Sequence, residues 1–166
     1  MHHPRHPTWR DRPCRLTTTP SSVITDPKWT DIDHRIYTAF GPPRRLAEVL
    51  SRLEDDSHLV IGLHDSARYV QFATFRPKLR LETIGPRYLE ASGEALTVDQ
   101  LVWLADHSWH NADDGGNLWR EWGPANEGEA ARAAVYTLAK IHGVEYLDQV
   151  WFESPDAHAR AAFEGP

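Results

Sequence analysis

Three short apolar segments separated by polar turns lie between residues 58 and 84, and this pattern constrains the fold most. Residues 58–64 are nearly all apolar, which is typical of a central strand. Residues 68–75 and 79–84 alternate between two faces, as half-buried strands do. One face of the middle segment carries Tyr69, Gln71 and Ala73, and the other carries Val70, Phe72 and Thr74. Because the connecting loops are short, the three segments predict an antiparallel meander.

Helical periodicity is present on both sides of this meander. Pro42 and Pro43 suit the first turn of a helix, where an N–H group would be unpaired anyway. The apolar stripe that follows consists of Leu46, Val49, Leu50 and Leu53. A second helix begins at a capping box formed by Thr97 and Gln100. Its expected buried stripe consists of Val98, Leu101, Val102 and Ala105.

The C-terminal third adds a strand, a helix and a further strand. Residues 118–122 have three large apolar side chains in five positions, which favours a short strand. Asn126 is a candidate cap for a helix that runs to His142 and stops at Gly143. Residues 149–152 suit a last short strand. The resulting order, α-β-β-β-α-β-α-β, predicts an α+β domain with an antiparallel sheet.

Charge is distributed unevenly between the two ends of the chain. Residues 1–40 carry six Lys or Arg and four Asp, whereas residues 41–166 carry twelve basic and twenty acidic side chains. We expect a poorly ordered leader rich in Pro, Thr and Ser over 1–40, followed by one domain over 41–166. A domain this acidic repels phosphate backbones and anionic membranes, so neither is an expected partner. Without an apolar signal segment, the expected location is the cytoplasm.

Histidines and carboxylates near residue 110 raise the question of a metal. His107 and His110 stand three positions apart, with Asp113 and Asp114 just beyond. Such groups suit a divalent cation, but a third ligand at a regular spacing is not evident. Cys14 is the only cysteine, which excludes a thiolate cluster. We therefore expect neither a metal nor another cofactor, and no motif of catalysis is present.

Aromatic residues suggest a binding surface instead. The chain has seven tryptophans, and four of them lie within residues 103–122. Trp119 and Trp122 are an odd number of positions apart, so a regular strand directs them to opposite faces and leaves one half exposed. Exposed aromatic side chains are typical of surfaces that hold a protein partner. The candidate partner-binding residues are Tyr69, Phe72, Trp103, Trp109, Trp119 and Trp122.

Several short motifs resemble the TY-Chap domain family of actinobacteria. They are Arg68-Tyr69-Val70-Gln71-Phe72, Tyr88-Leu89 followed by Leu96-Thr97-x-x-Gln100, the block from Trp109 to Trp122, and Gly143-Val144. Together they cover about residues 44–152. That family is allied to the YbjN-like regulators and to the type III secretion chaperone fold. The resemblance implies the order α-β-β-β-α-β-β-α, frequent dimers, and binding of proteins without turnover of a substrate.

The leading functional hypothesis is therefore a non-catalytic, chaperone-like or adaptor-like domain that holds a segment of a client protein. A sheet edge and an apolar patch would hold that segment by main-chain pairing. An immunity or antitoxin-like inhibitor of a basic toxin is the alternative, because it would also be small and acidic. A metal-dependent or small-ligand enzyme centred on His107, His110 and Asp113 is the third hypothesis.

Overall fold

A five-stranded antiparallel sheet forms the centre of the computed structural model, which describes residues 43–112 and 115–164. Its strands are β1 (His58–Leu63), β2 (Tyr69–Phe75), β3 (Lys78–Thr83), β4 (Leu118–Trp122) and β5 (Val150–Glu153). Their spatial order is β4-β3-β2-β1-β5. The predicted meander of β1, β2 and β3 is confirmed. The predicted leader, residues 1–40, lies outside the described residues.

One face of the sheet carries the apolar core. The strand register places Leu59, Phe72 and Leu81 in one row across β1, β2 and β3, and all three have no exposed surface. Burial of each side chain of this size stabilises the fold by about 1.5–3 kcal/mol. The face predicted to contain Val70, Phe72 and Thr74 is thus the buried one.

Three helices cover this core. Helix α1 (Pro43–Arg52) buries the stripe predicted for it. Helix α4 (Glu127–Lys140) packs against α1 and the sheet, and Gly143, at a φ of +73°, ends this segment in the left-handed conformation that favours glycine. The tail forms α5 (Ala157–Glu164), which packs on α1 and β5. Helix α1 follows from a single apolar stripe, and both α1 and α4 were predicted.

Two short helices, α2 (Pro86–Ala91) and α3 (Val98–Asp106), lie between β3 and β4. The capping box of Thr97 and Gln100 at the start of α3 is confirmed. The predicted buried stripe of this helix is wrong. Val98, Leu101 and Val102 are 74%, 40% and 53% exposed, and Ala105 is exposed as well.

Side chains on the opposite face of α3 hold it to the core. Leu104 is buried and Trp103 packs against the core cluster. The amide of Gln100 donates to the carbonyl of Ile141 at 2.9 Å, which fixes the same face inward. Since α3 is apolar on both faces, its contacts with the segment after α4 decide which face is buried.

The α+β class is confirmed, with one difference in the order of the strands. The resemblance implies two strands between the second and the last helix, formed by the block from Trp109 to Trp122. Among the described residues of that block, β4 is accompanied by a single antiparallel bridge between His110 and Trp119. The chain turns away after His110, where the N–H of Gly115 donates to the carbonyl of Ala112 at 3.0 Å. The fifth strand, β5, instead follows α4.

Candidate functional site

The six aromatic residues predicted to bind a partner divide into two groups. Phe72 has no exposed surface, and Trp109 and Trp122 are 8% exposed, so these three fill the core and offer no contact area to a partner. Tyr69, Trp103 and Trp119 are half-buried. The prediction that Trp119 and Trp122 face opposite ways is confirmed, because only Trp122 joins the core cluster. Large apolar side chains on the inner face of a strand are buried in the core and are therefore not available to a partner.

The ring of Trp119 is already in contact with neighbouring side chains. The guanidinium of Arg80 lies 4.7 Å from its ring centroid, and the His110 ring lies 4.6 Å away at 32°. Glu121, two positions on, accepts hydrogen bonds from Lys78, at 2.9 Å, and from Arg80. Burial raises the pKa of Glu121, but these two cations more than offset it and hold the pKa below its ordinary value. The cluster ties β4 to β3 through cross-strand pairs.

Tyr69 holds the loop that contains Asn117. Its hydroxyl accepts a hydrogen bond from the Asn117 amide at 2.7 Å, and the same amide lies 3.3 Å from a Glu82 carboxylate oxygen. Burial is the main cause of the raised pKa of Tyr69. The phenol therefore stays protonated at neutral pH.

The two histidines considered for a metal each lie against a different tryptophan. His107 lies on Trp103 with ring centroids 3.8 Å apart, and its Nδ1 is 2.7 Å from the Trp103 carbonyl. His110 lies against Trp119. Asp113 and Asp114 lie outside the described residues. Within residues 43–112 and 115–164, no three His, Cys, Asp or Glu side chains are grouped as metal ligands.

The outer edge of β5 has no partner strand among the described residues. The N–H of His64 donates to the carbonyl of Gln149, which makes their register pair a hydrogen-bonded one. Hydrogen-bonded pairs alternate along an antiparallel ladder, so the backbone groups of Val150 and Phe152 point away from β1. The N–H of Val150 bonds to the carbonyl of Leu147. The carbonyl of Val150 and both groups of Phe152 have no backbone partner among the described residues.

An apolar cavity of about 120 Å³ adjoins this edge. The Phe152 and Phe163 rings stack beside it, with centroids 4.0 Å apart and planes within 5°. Glu153 and Arg160 also border it. The complete lining is Leu59, Phe152, Glu153, Ser154, Ala159, Arg160 and Phe163.

On the opposite face of the sheet, β5 is held to β1 by a tryptophan. The indole of Trp151 lies across Gly62, its register partner, and donates to the carbonyl of Leu63 at 3.1 Å. A Cβ at Gly62 would lie 2.2 Å from the indole, so this close approach requires glycine. Tyr69 pairs with the same Gly62 from the other side, which places Trp151 and Tyr69 in one row.

The opposite edge of the sheet is partly closed. Trp119 and His110 exchange hydrogen bonds of 3.0 and 2.9 Å, which occupies the outward groups of Trp119. The outward groups of Glu121 continue this edge. A last strand was predicted at residues 149–152, but its place at an edge of the sheet was not, because strand order is not readable from a strand's own residues.

Comparison with known proteins covers the sheet and the helices that precede α5. A family model described as "T3SS (YopN, CesT) and YbjN peptide-binding chaperone 3" matches residues 43–154, which span every strand. Searches of curated proteins and of solved structures found no match. No helix among the described residues has the length and apolarity needed to cross a membrane. The chain belongs to the TY-Chap3 family of peptide-binding chaperones, as the sequence motifs indicated.

Proposed function

We propose that this domain binds an extended segment of a client protein along the outer edge of β5 and does not chemically alter it. The observation that carries the proposal is the pair of outward backbone groups of Phe152 beside an apolar cavity. An edge of this kind is a template for strand addition, one of the recurring modes of peptide recognition. The description of the family as peptide-binding supports the same kind of ligand.

Main-chain pairing supplies part of the affinity. One residue of the added segment exchanges two hydrogen bonds with Phe152, and another donates to the carbonyl of Val150. Each such bond contributes a net of about 0.5–1.5 kcal/mol. Three of them would give a weak complex, so side-chain contacts have to provide most of the selectivity.

The cavity supplies that selectivity for one side chain. Alternate residues of an added strand point to the face on which Phe152 and Phe163 stack. A cavity of about 120 Å³ is slightly smaller than the ~150 Å³ apolar cavity that binds benzene, so it suits a single aliphatic or aromatic side chain. Arg160 donates to two carbonyls and pairs with no carboxylate within the described part of the chain, so it favours an acidic neighbour.

Residues on the other face of the added strand would lie beside Trp151, with Tyr69 next in the row. Of the six aromatic residues predicted from the sequence, Tyr69 alone lies in this row, and Gly62 and Trp151 separate it from the added strand. The rings of Trp103 and Trp119 contact His107 and His110 instead. We place the client in the cytoplasm, in keeping with the acidic domain. We consider inhibition of a basic toxin the weaker alternative, because it depends on the charge of the domain alone.

A library of random peptides of roughly 12 residues, displayed on phage, tests the proposal against the full chain. We expect enrichment of peptides with one large apolar residue flanked by extended, β-prone positions. Phe163→Ala should weaken the selected peptides at least about tenfold in fluorescence anisotropy, because the cavity loses its stacked wall.

A matched control separates this site from other apolar surfaces. Tyr88→Ala removes an exposed aromatic side chain from α2, outside this site, and should change the affinity by less than about twofold. The proposal is wrong if Tyr88→Ala weakens the peptides as much as Phe163→Ala, or if repeated selection enriches no peptide. Thermal unfolding of both variants establishes that each is folded at the assay temperature.

A further inference from the structure

Helix α3 presents an apolar stripe to solvent that the β5 edge does not explain. Val98, Leu101, Val102 and Ala105 have the spacing i, i+3, i+4, i+7 and are all exposed. Three of the six large apolar side chains that are exposed in the described residues belong to this stripe. Contiguous apolar patches of this kind mark interaction sites more often than scattered single residues do.

The orientation of the stripe is fixed by contacts on the other side of the helix. Leu104 is 2% exposed, and Trp103 stacks on His107 at 3.8 Å. The capping box holds the first turn, and Gln100 bonds to the carbonyl of Ile141 at 2.9 Å. Turning the stripe inward would break all of these contacts, so the surface is preformed for a partner.

Two carboxylates border the stripe on one side only. Asp99 and Asp106 lie about 100° and 80° around the helix axis from Val98, next to Val102 at about 40°. Both are exposed, and neither pairs with a cation among the described residues. The opposite border is formed by Thr97 and the buried Leu104 and carries no charge.

This one-sided charge disfavours a second copy of the chain as the occupant. Antiparallel two-fold packing of α3 on itself brings Asp99 opposite Asp106 of the other copy, a like-charge contact. Parallel packing places each carboxylate opposite an uncharged border. Neither arrangement pairs an acid with a base, and the domain as a whole carries twelve basic and twenty acidic side chains.

We propose that α3 docks an amphipathic helical segment of a partner, with aliphatic residues at i, i+3, i+4 and i+7 and Lys or Arg along one border. The nine residues of α3 are about 14 Å long, so the complementary segment spans two to three turns. Its aliphatic residues cover the stripe while its basic residues pair with Asp99 and Asp106. This site is separate from the β5 edge and does not depend on peptide binding there.

Two labelled helical peptides of roughly 14 residues test the proposal on the full chain. They share an apolar stripe of four Leu and differ only in having Lys or Glu along one border. We expect the Lys peptide to bind at least about tenfold more tightly at low salt. Val98→Ser with Val102→Ser should weaken it about fivefold or more, and Asp99→Lys with Asp106→Lys should reverse the preference between the peptides.

A charge-matched control distinguishes docking from general attraction. Glu145→Lys with Asp148→Lys makes the same change in net charge at exposed positions outside α3 and should leave the preference intact. Equal binding of the two peptides would overturn the proposal, and so would an equal effect of the control pair. A chain that sediments as a dimer and becomes a monomer on Val98→Ser with Val102→Ser would also overturn it, by identifying a second copy as the occupant.

Discussion

A buried histidine gives the fold a calculable dependence on pH. His142 is 4% exposed, and its Nε2 lies 2.7 Å from the Thr83 hydroxyl. That hydroxyl donates to the Tyr69 carbonyl at 3.1 Å, so it accepts from Nε2–H, and the ring is neutral with a bare, unpartnered Nδ1. Burial, and then the positive charge of Arg68, lower the pKa of His142 from 6.5 to about 3, although the Tyr69 carbonyl and then Glu94 act in the opposite sense.

The consequence for stability follows from proton linkage. The unfolded chain takes up a proton at His142 near pH 6.5, whereas the folded chain takes it up only near pH 3. Above pH ~7 both states are neutral and the histidine has no effect. As the pH falls from about 6.5 toward 3, the free energy of unfolding decreases by about 1.4 kcal/mol per pH unit. Between pH 7 and pH 5 the loss is therefore about 2 kcal/mol.

His142→Gln isolates this contribution. The glutamine amide keeps a donor toward Thr83 but does not titrate, and the carboxylates of Glu94, Glu121 and Asp156, whose pKa values are lowered, are the same in both proteins. Urea unfolding followed by tryptophan fluorescence should show that the wild type loses about 2 kcal/mol more than the variant between pH 7 and pH 5. Equal losses in the two proteins would refute the assignment of a buried neutral imidazole.

Three further predictions concern packing. Gly62→Ala should cost about 2–4 kcal/mol of unfolding free energy, because its Cβ displaces the Trp151 indole; an unchanged melting temperature would contradict that contact. Thr97→Ala removes the capping box of α3 and should cost about 1 kcal/mol in urea unfolding, and a loss near zero would mean that the cap does not hold this helix. Phe72→Ala should cost about 3–5 kcal/mol, whereas Val98→Ser should stay within about 0.5 kcal/mol, and similar costs would mean that the exposed face of α3 is misassigned.

Elements with a single apolar stripe could be predicted from the sequence. Helix α1 and the meander of β1, β2 and β3 each bury the face that was predicted, so local periodicity identifies both the element and its inward side. Helix α4 is buried on most sides between Ala134 and Leu138, and it was predicted from its bounding residues Asn126 and Gly143. The odd spacing between Trp119 and Trp122 likewise predicted correctly that they lie on opposite faces of β4.

Where both faces are apolar, local periodicity is not enough. Helix α3 carries Val98 and Val102 on one side and Trp103 and Leu104 on the other, and either side could have been buried. Contacts with residues distant in sequence, such as the hydrogen bond from Gln100 to the segment after α4, decide the outcome.

Candidate binding residues were harder to predict than the fold. Phe72 and Trp122 have the size and chemistry of interface residues, but the same properties drive them into the core. The outer edge of β5 depends on strand order, which is a property of the whole sheet. A strand of four residues carries no local sign that one side of it is unpaired.

Hydrogen exchange of the Phe152 amide, resolved by NMR on the full chain with and without a selected peptide, tests the central claim most directly. Added-strand pairing predicts that this amide exchanges at least about tenfold more slowly in the complex. The outward amide of Glu121 on the opposite edge of the sheet should be unaffected. Saturating peptide that leaves exchange at Phe152 unchanged would contradict strand addition at β5.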